Sequence, residues 1–324
     1  MTLIDQSRET RLVSDIGGTR TRLGIANEWG RIEHIIEFRT EDFEGFAACA
    51  RAYLNQLCQK APRPESAVIA VAGPVEDDIA HLTNLAWTVD AKELKSDLSL
   101  ISVRLLNDFE AQAHALPWLG VEDLQKVGGG EAVPNGSRVV LGPGTGLGVA
   151  GLVPDRKGNF VSVPGEGGHV TLSAMNEDEA DLLARLRQHY GHVSAERVIS
   201  GPGLEKLYLV LKERAGRGVG ANSISAADMA ACASQGDDTA RKTLHYFSCF
   251  LGTIAADLAL IFWARGGVYL SGGVSQRLGA AFDKGTFRDR FETKGRFSDN
   301  LAQIPTFIVT HPNPGLLGLA KARF

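Results

Sequence analysis

A basic excess is the first thing this sequence lacks. Its 34 lysines and arginines are outnumbered by 38 aspartates and glutamates, for a formal net charge of −4. A polyanion binder carries a basic patch or stripe, so no nucleic-acid partner is expected. The densest basic stretch, Arg288 to Arg296, is interrupted by Asp289, Glu292 and Thr293 and reads as a solvated face. Cysteine is scarce as well. The four residues Cys49, Cys58, Cys232 and Cys249 form no C-x-x-C pair, and each falls in a predicted helix among small apolar residues. They read as buried structural thiols suited to a reducing compartment. Residues Met1 to Arg11 contain no apolar stretch of the signal-peptide kind. The most apolar segment, Cys249 to Ala264, carries Asp257 and falls short of the ~20 residues a membrane span requires. The expectation is a cytoplasmic protein with no membrane partner. The P-loop pattern G-x-x-x-x-G-K-[ST] is absent. So is an H-x-x-x-H metal spacing around His169.

What is present is length and alternation. A chain of 324 residues, 44% hydrophobic and 22% charged, exceeds what one compact core usually holds, so two domains are expected. Strands are predicted at Leu12–Ile16, Arg22–Ala26 and Ile32–Phe38, then a helix from Asp42 to about Gln59. Further strands at Ala67–Ala72 and Val103–Leu106 stop at Gly73-Pro74 and Asn107-Asp108. The stretch from Trp118 to Gly136 turns loop-rich and marks a boundary. After it the plan restarts, with a strand at Arg138–Leu141, a turn, and a returning strand from Gly148 to Val153. The remainder is mainly helical, with late strands at Gly267–Leu270 and Pro305–Thr310. The predicted division is a small α/β domain over 1–118, on which the terminal helix 312–324 packs back, and a larger, helix-rich α/β domain over 119–311.

Both halves open as strand, Gly-Thr turn, strand, and this repeat gives the turns their interest. In Asp15-Ile16-Gly17-Gly18-Thr19, glycines at a strand end let backbone N–H groups face an anion, the threonine adds a donor, and the carboxylate can hold a hydrated Mg²⁺. A plain hairpin turn explains the same residues equally well. Gly142-Pro143-Gly144-Thr145-Gly146 repeats the device, and two such turns could clamp one γ-phosphate. Asn107-Asp108 ends an apolar strand. Its aspartate suits the acceptance of an alcohol proton during phosphoryl transfer, although spacing alone reads as an N-cap for the next helix. Pro164-Gly165-Glu166-Gly167-Gly168-His169 offers a carboxylate and an imidazole among glycines that let a ligand approach; an ordinary surface loop is the alternative. Glu196, in His192-Val193-Ser194-Ala195-Glu196-Arg197-Val198, reads as a favourable charge at the N-terminus of a short helix.

Taken in order, Asp15–Thr19, Asn107–Phe109, Gly142–Gly148, Pro164–His169, His192–Gly203, Gly266–Val274 and Asn313–Gly318 resemble the bacterial glucokinase family over roughly Leu12 to Ala320. The resemblance implies an α/β, two-lobed actin-like ATPase (ribonuclease H-like) fold with a cleft between the lobes. It further implies ATP and Mg²⁺ for the donor side, glucose as acceptor, and a homodimer. It assigns Asp108 as general base and Asn107, Glu166, His169 and Glu196 as sugar ligands. Ser14, Asp15, Ile16, Gly17, Gly18 and Thr19 match one phosphate loop, with Asp15 toward the metal. Gly144, Thr145 and Gly146 match the other, and Gly272 and Gly273 match a turn near the adenosine. Arg20 stands where the family pattern has asparagine, and Leu85-Ala86 replaces a more polar pair. Three other functions stay open from sequence: a kinase for another hexose, a non-catalytic sugar sensor, and an acyl-phosphate kinase of the same superfold, for which arginines would be expected in place of Glu166 and Glu196. The zinc cysteine cluster of ROK sugar kinases is missing, as is room for a DNA-binding domain before Leu12.

Overall fold

The computed structural model describes residues 10–57, 61–82, 85–216 and 224–322. The chain forms two compact units, Met1–Trp118 with Pro312–Phe324, and Leu119–His311.

The first unit is built on strands β1 (Arg11–Ile16), β2 (Arg20–Ala26), β3 (Ile32–Arg39), β4 (Ser66–Val71) and a later strand, Ser102–Asn107. The meander β1–β2–β3 is antiparallel. β4 pairs in parallel with β1, and Ser102–Asn107 in parallel with β4. Between them β5 (Val75–Glu76), β6 (Ile79–His81) and β7 (Thr88–Asp90) make a small antiparallel sheet, after which Ser102–Asn107 is β8. All six residues of β4 are buried, as expected of an apolar run in a parallel pairing covered on both faces.

Helix α1 (Phe46–Gln56) begins four residues later than the predicted Asp42. Thr40–Asp42 forms a 3₁₀ turn instead, and the Thr40 N–H donates to the Thr19 carbonyl at 3.0 Å. The predicted end near Gln59, like Cys58, lies outside the described residues. Helix α2 (Ala91–Asp97) is capped by Asp90, and α3 (Asp108–Ala115) follows β8 directly.

In the second unit β9 (Leu124–Gly128), β10 (Arg138–Pro143), β11 (Leu147–Pro154), β12 (Phe160–Gly165), β13 (Val268–Leu270) and β14 (Thr306–Val309) form one sheet in the order β12-β11-β10-β13-β14-β9. β10–β11–β12 is an antiparallel meander, and β13 and β14 add in parallel beside β10. The first unit's order, β3-β2-β1-β4-β8, is the same arrangement. Here β9 extends it antiparallel to β14, a strand within a stretch expected to be loop.

Helices α4 (Glu177–Tyr190), α5 (Gly201–Arg214), α6 (Ala226–Ser234), α7 (Asp238–Phe262), α8 (Gly273–Leu278), α9 (Lys284–Glu292) and α10 (Ser298–Gln303) complete the unit. α7 is the one described helix long and apolar enough to cross a membrane, yet 72% of its most apolar window is buried inside the protein. Its Phe247, Phe250, Leu251 and Ile254 belong to the main hydrophobic core.

The stretch Arg288–Arg296 is not the solvated face expected. Arg288 is buried and donates to the carbonyls of Leu301, Ala302 and Ile304. Arg290 holds the fully buried Glu179 of α4 at 2.5 Å. A guanidinium has five donors, enough to be satisfied below the surface. Cys49 and Cys249 are buried, and desolvation pushes both thiols up to about 11. Cys232 is half-buried.

The chain returns to the first unit as α11 (Pro314–Lys321). Leu316, Leu319 and Ala322 share a core with Val13, Val68, Leu106 and Ala111. At Gly318 a side chain would collide with the Ala111 carbonyl of α3, so glycine is what allows the two helices to lie this close.

Candidate active site

Register places the first unit's motifs along one sheet edge. Ile16 is level with Val71, and Val71 with Asn107. The C-terminal ends of β1, β4 and β8 therefore stand side by side, each about 4.8 Å from the next. At the end of β1 the chain turns through Gly17–Thr19, closed by the Gly17 N–H donating to the Arg20 carbonyl at 2.9 Å. Gly18 and Thr19 are exposed, whereas the Ser14 and Ile16 side chains are fully buried inside β1. The turn is braced from below by Thr40, whose hydroxyl donates to the Gly17 carbonyl at 3.0 Å. Asp15 keeps 30% of its side-chain surface and lies 3.9 Å from the Arg22 guanidinium. Burial raises its carboxyl pKa, with Arg22 pulling the other way. Gly315 of α11 backs onto this carboxylate: a Cβ there would sit 3.7 Å from Asp15 Oδ2. Arg20 turns away and pairs with Glu37 on β3.

At the end of β8 the helix cap is Asn107, one residue earlier than the N-cap reading of Asp108. Asn107 Oδ1 accepts from the Phe109 N–H at 2.9 Å and from the Glu110 N–H at 3.4 Å, and Nδ2 donates to the Gly73 carbonyl at 3.1 Å. Asp108 is the first residue of α3, half-buried, with Oδ1 accepting from the Phe109 N–H at 3.0 Å.

In the second unit the turn between β10 and β11 carries Gly144, Thr145 and Gly146, with Thr145 exposed. The Gly144 N–H donates to the Gly146 carbonyl at 2.8 Å, and the Gly201 N–H at the start of α5 donates to the Gly144 carbonyl at 2.8 Å. Gly272 packs against the same turn. Its φ is +108°, and a Cβ would lie 2.8 Å from the Pro143 carbonyl oxygen, so both backbone conformation and space require glycine. Glu196 lies in a turn rather than the short helix expected, because its own N–H is committed to the Gly168 carbonyl at 2.9 Å. Its Oε2 accepts from the Leu147 N–H at 3.0 Å. Glu166 and His169 follow β12 on a 3₁₀ turn, both well exposed, with His169 Nε2 3.9 Å from Glu166 Oε2.

Two groups of residues thus form, one per unit. Asp15–Thr19 and Asn107–Asp108 share the edge of the first sheet. Gly144–Gly146, Glu196 and Gly272–Gly273 meet around the second turn, with Glu166 and His169 tied in through Gly168. Gly201 and Gly315 lie in the blocks His192–Gly203 and Asn313–Gly318 but were given no role from sequence. The signal for Gly201 was the Ser200-Gly201-Pro202 helix start, in which a serine cap and an early proline fix the helix entry. Gly315 follows the corresponding early proline, Pro314, in α11. Among the described residues no three His, Cys, Asp or Glu side chains gather as a metal cluster.

The glucokinase family model matches residues 12–323. A glucokinase of Ralstonia nicotianae is 42% identical over 98% of this chain and 96% of its own. The crystal structure of glucokinase from an Antarctic psychrotroph superposes with a TM-score of 0.87 at 35% identity, covering 97% of this chain and 98% of that one. A ROK family glucokinase from Streptomyces griseus, solved in complex with glucose and AMPPNP, shares the fold at 20% identity and a TM-score of 0.63, over 96% of this chain and 98% of that one. With the family model matched across nearly its whole length and relatives this similar end to end, the chain belongs to the glucokinase family.

Proposed function

We propose that this chain transfers the γ-phosphoryl group of ATP to the 6-hydroxyl of glucose. The observation that carries the reading is the doubled plan: the same sheet order twice, each time with an exposed Gly-Thr turn between its first two strands. The two units are then the two lobes of an actin-like ATPase fold, each contributing one phosphate turn.

In this reading Asp108 accepts the 6-hydroxyl proton as the O6–phosphorus bond forms and the bond from the γ-phosphorus to the leaving oxygen of ADP breaks. Its bond from the Phe109 N–H fixes one oxygen. The remaining N–H of the Asn107 amide, the carboxylates of Glu166 and Glu196, and the His169 imidazole hold the ring hydroxyls. The backbone N–H groups and threonines of Gly17–Thr19 and Gly144–Gly146 take the phosphates, and Gly272–Gly273 lie near the adenosine. Ser14 and Ile16, buried in β1, support the first turn from within the sheet. Asp15 fits a hydrated Mg²⁺: its charge is opposed by burial and only partly offset by Arg22. Mg²⁺ binds through one or two carboxylates plus waters and phosphates, and when bound it neutralises phosphate charge. Buried free thiols suit a cytoplasmic setting.

A coupled assay for ADP with a panel of hexoses tests the reading. Glucose is expected to give the highest kcat/KM, with mannose, fructose and N-acetylglucosamine at least ~10-fold lower, because a hydrogen-bonding site rejects analogues that leave its polar groups unpaired. ADP release indifferent to the sugar, or faster with another hexose, would overturn it. A sedimentation mass twice the 34.7 kDa of the chain is expected for the homodimer that the family resemblance implies.

A further inference from the structure

Glu196 does two things at once. Its Oε2 accepts from the Leu147 N–H at 3.0 Å, at the exit of the Gly144–Gly146 turn. Its own N–H is held by the Gly168 carbonyl at 2.9 Å, in the loop that carries Glu166 and His169. Gly146 shows how tight the arrangement is: a Cβ there would collide with Glu196 Oε2. At Gly168 a Cβ would collide with the Leu147 carbonyl. The carboxylate is half-buried, so its hydrogen bond to a backbone donor is charge-assisted and partly shielded from water.

The geometry points to Glu196 as the link between the sugar and the phosphate turn. One oxygen holds the turn through Leu147, and the other is offered to a sugar hydroxyl. This rests on the roles proposed above for Glu196 and for Gly144–Gly146. A sugar hydroxyl bound to Oε1 fixes the carboxylate's rotamer, and that ordering is then already in place when a nucleotide binds the turn. Linkage makes the effect reciprocal: whatever factor glucose adds to nucleotide affinity, nucleotide adds to glucose affinity. Toward the nucleotide Glu196 is a positioning residue, acting through the Leu147 N–H.

Calorimetric titration of three variants of the full chain tests this, each checked by thermal melting. Gly146→Ala sets a methyl group of the phosphate turn against Glu196 Oε2, and glucose titrated with no nucleotide present is expected to bind at least about fivefold more weakly. Glu196→Ala removes no proposed nucleotide contact, yet AMPPNP with Mg²⁺, titrated with no sugar present, is expected to weaken by a similar factor. Glu196→Gln, which keeps an acceptor oxygen for Leu147, is expected to recover most of the nucleotide affinity. A role confined to the sugar would leave AMPPNP binding equal in all Glu196 variants, and that result overturns the link. If Gly146→Ala does not fold, the Glu196→Ala and Glu196→Gln pair decides alone. Failure of the wild-type chain to bind glucose would instead sink the proposed function, and AMPPNP binding to the Glu196 variants would still report on the tether.

Discussion

At Asp15, burial and charge pull against each other. The surrounding packing raises its carboxyl pKa above the usual aspartate value, and Arg22 opposes this less strongly. A folded-state pKa above the unfolded one means that protonation favours the fold. That contribution is fully present below the unfolded value of ~3.9 and is lost as pH rises through the folded value. Ionisation of this carboxylate is therefore a cost to the ligand-free protein. Asp15→Asn is expected to leave the ligand-free Tm at pH 7 unchanged or higher while abolishing phosphoryl transfer; the wild-type advantage of low pH should shrink in the variant. A clear fall in Tm at pH 7 would show the carboxylate to be structural instead.

The elements tell how much of this was legible beforehand. Strands announced themselves where apolar runs met Gly or Asx stops, so β1, β4, β8 and β10 were read to within a residue or two. Helix α4 falls in the stretch read as mainly helical; the structure runs it from the Asn176 cap to Gly191. β9 was hidden, because its Gln125 and Lys126 are exposed on a sheet edge and carry no apolar alternation. Glu196 was misplaced, since the bonds that hold it come from Gly168 and Leu147, distant in sequence. Cap assignment slipped by one at Asn107-Asp108, where both residue types cap well.

The buried arginines of α9 were missed because charge patterning cannot see tertiary partners. They are also the most testable packing feature. Arg290 is 14% exposed against a Glu179 with no exposed side-chain surface. Arg290→Met strands that carboxylate, and urea denaturation is expected to show a loss of about 3–5 kcal/mol. Adding Glu179→Leu should recover most of it. A loss in the single variant below about 1 kcal/mol would mean that the pair contributes like a surface ion pair.

At the scale of the whole molecule, the repeat of one sheet order in two units was visible in outline as a repeated strand–turn–strand. The return of α11 to the first unit was anticipated only because the final segment is too short to stand alone. Its tight seat on α3 depends on Gly318, and no local pattern reveals that contact. Ligands that bind only the native state should stabilise all of it. Glucose at ~100 times its Kd is expected to add about 2.7 kcal/mol, read as a rise in Tm. A Tm indifferent to glucose yet raised by another hexose would reassign the acceptor.

The proton acceptor is the point on which the chemistry turns. The direct measurement is the steady-state turnover of Asp108→Asn with ATP, Mg²⁺ and saturating glucose, alongside its glucose affinity by calorimetry. The substitution keeps the shape and the acceptor for the Phe109 N–H but removes the base. A fall in kcat of ~10²-fold or more with glucose affinity within about threefold of wild type is predicted. Turnover within tenfold of wild type would remove Asp108 from the reaction.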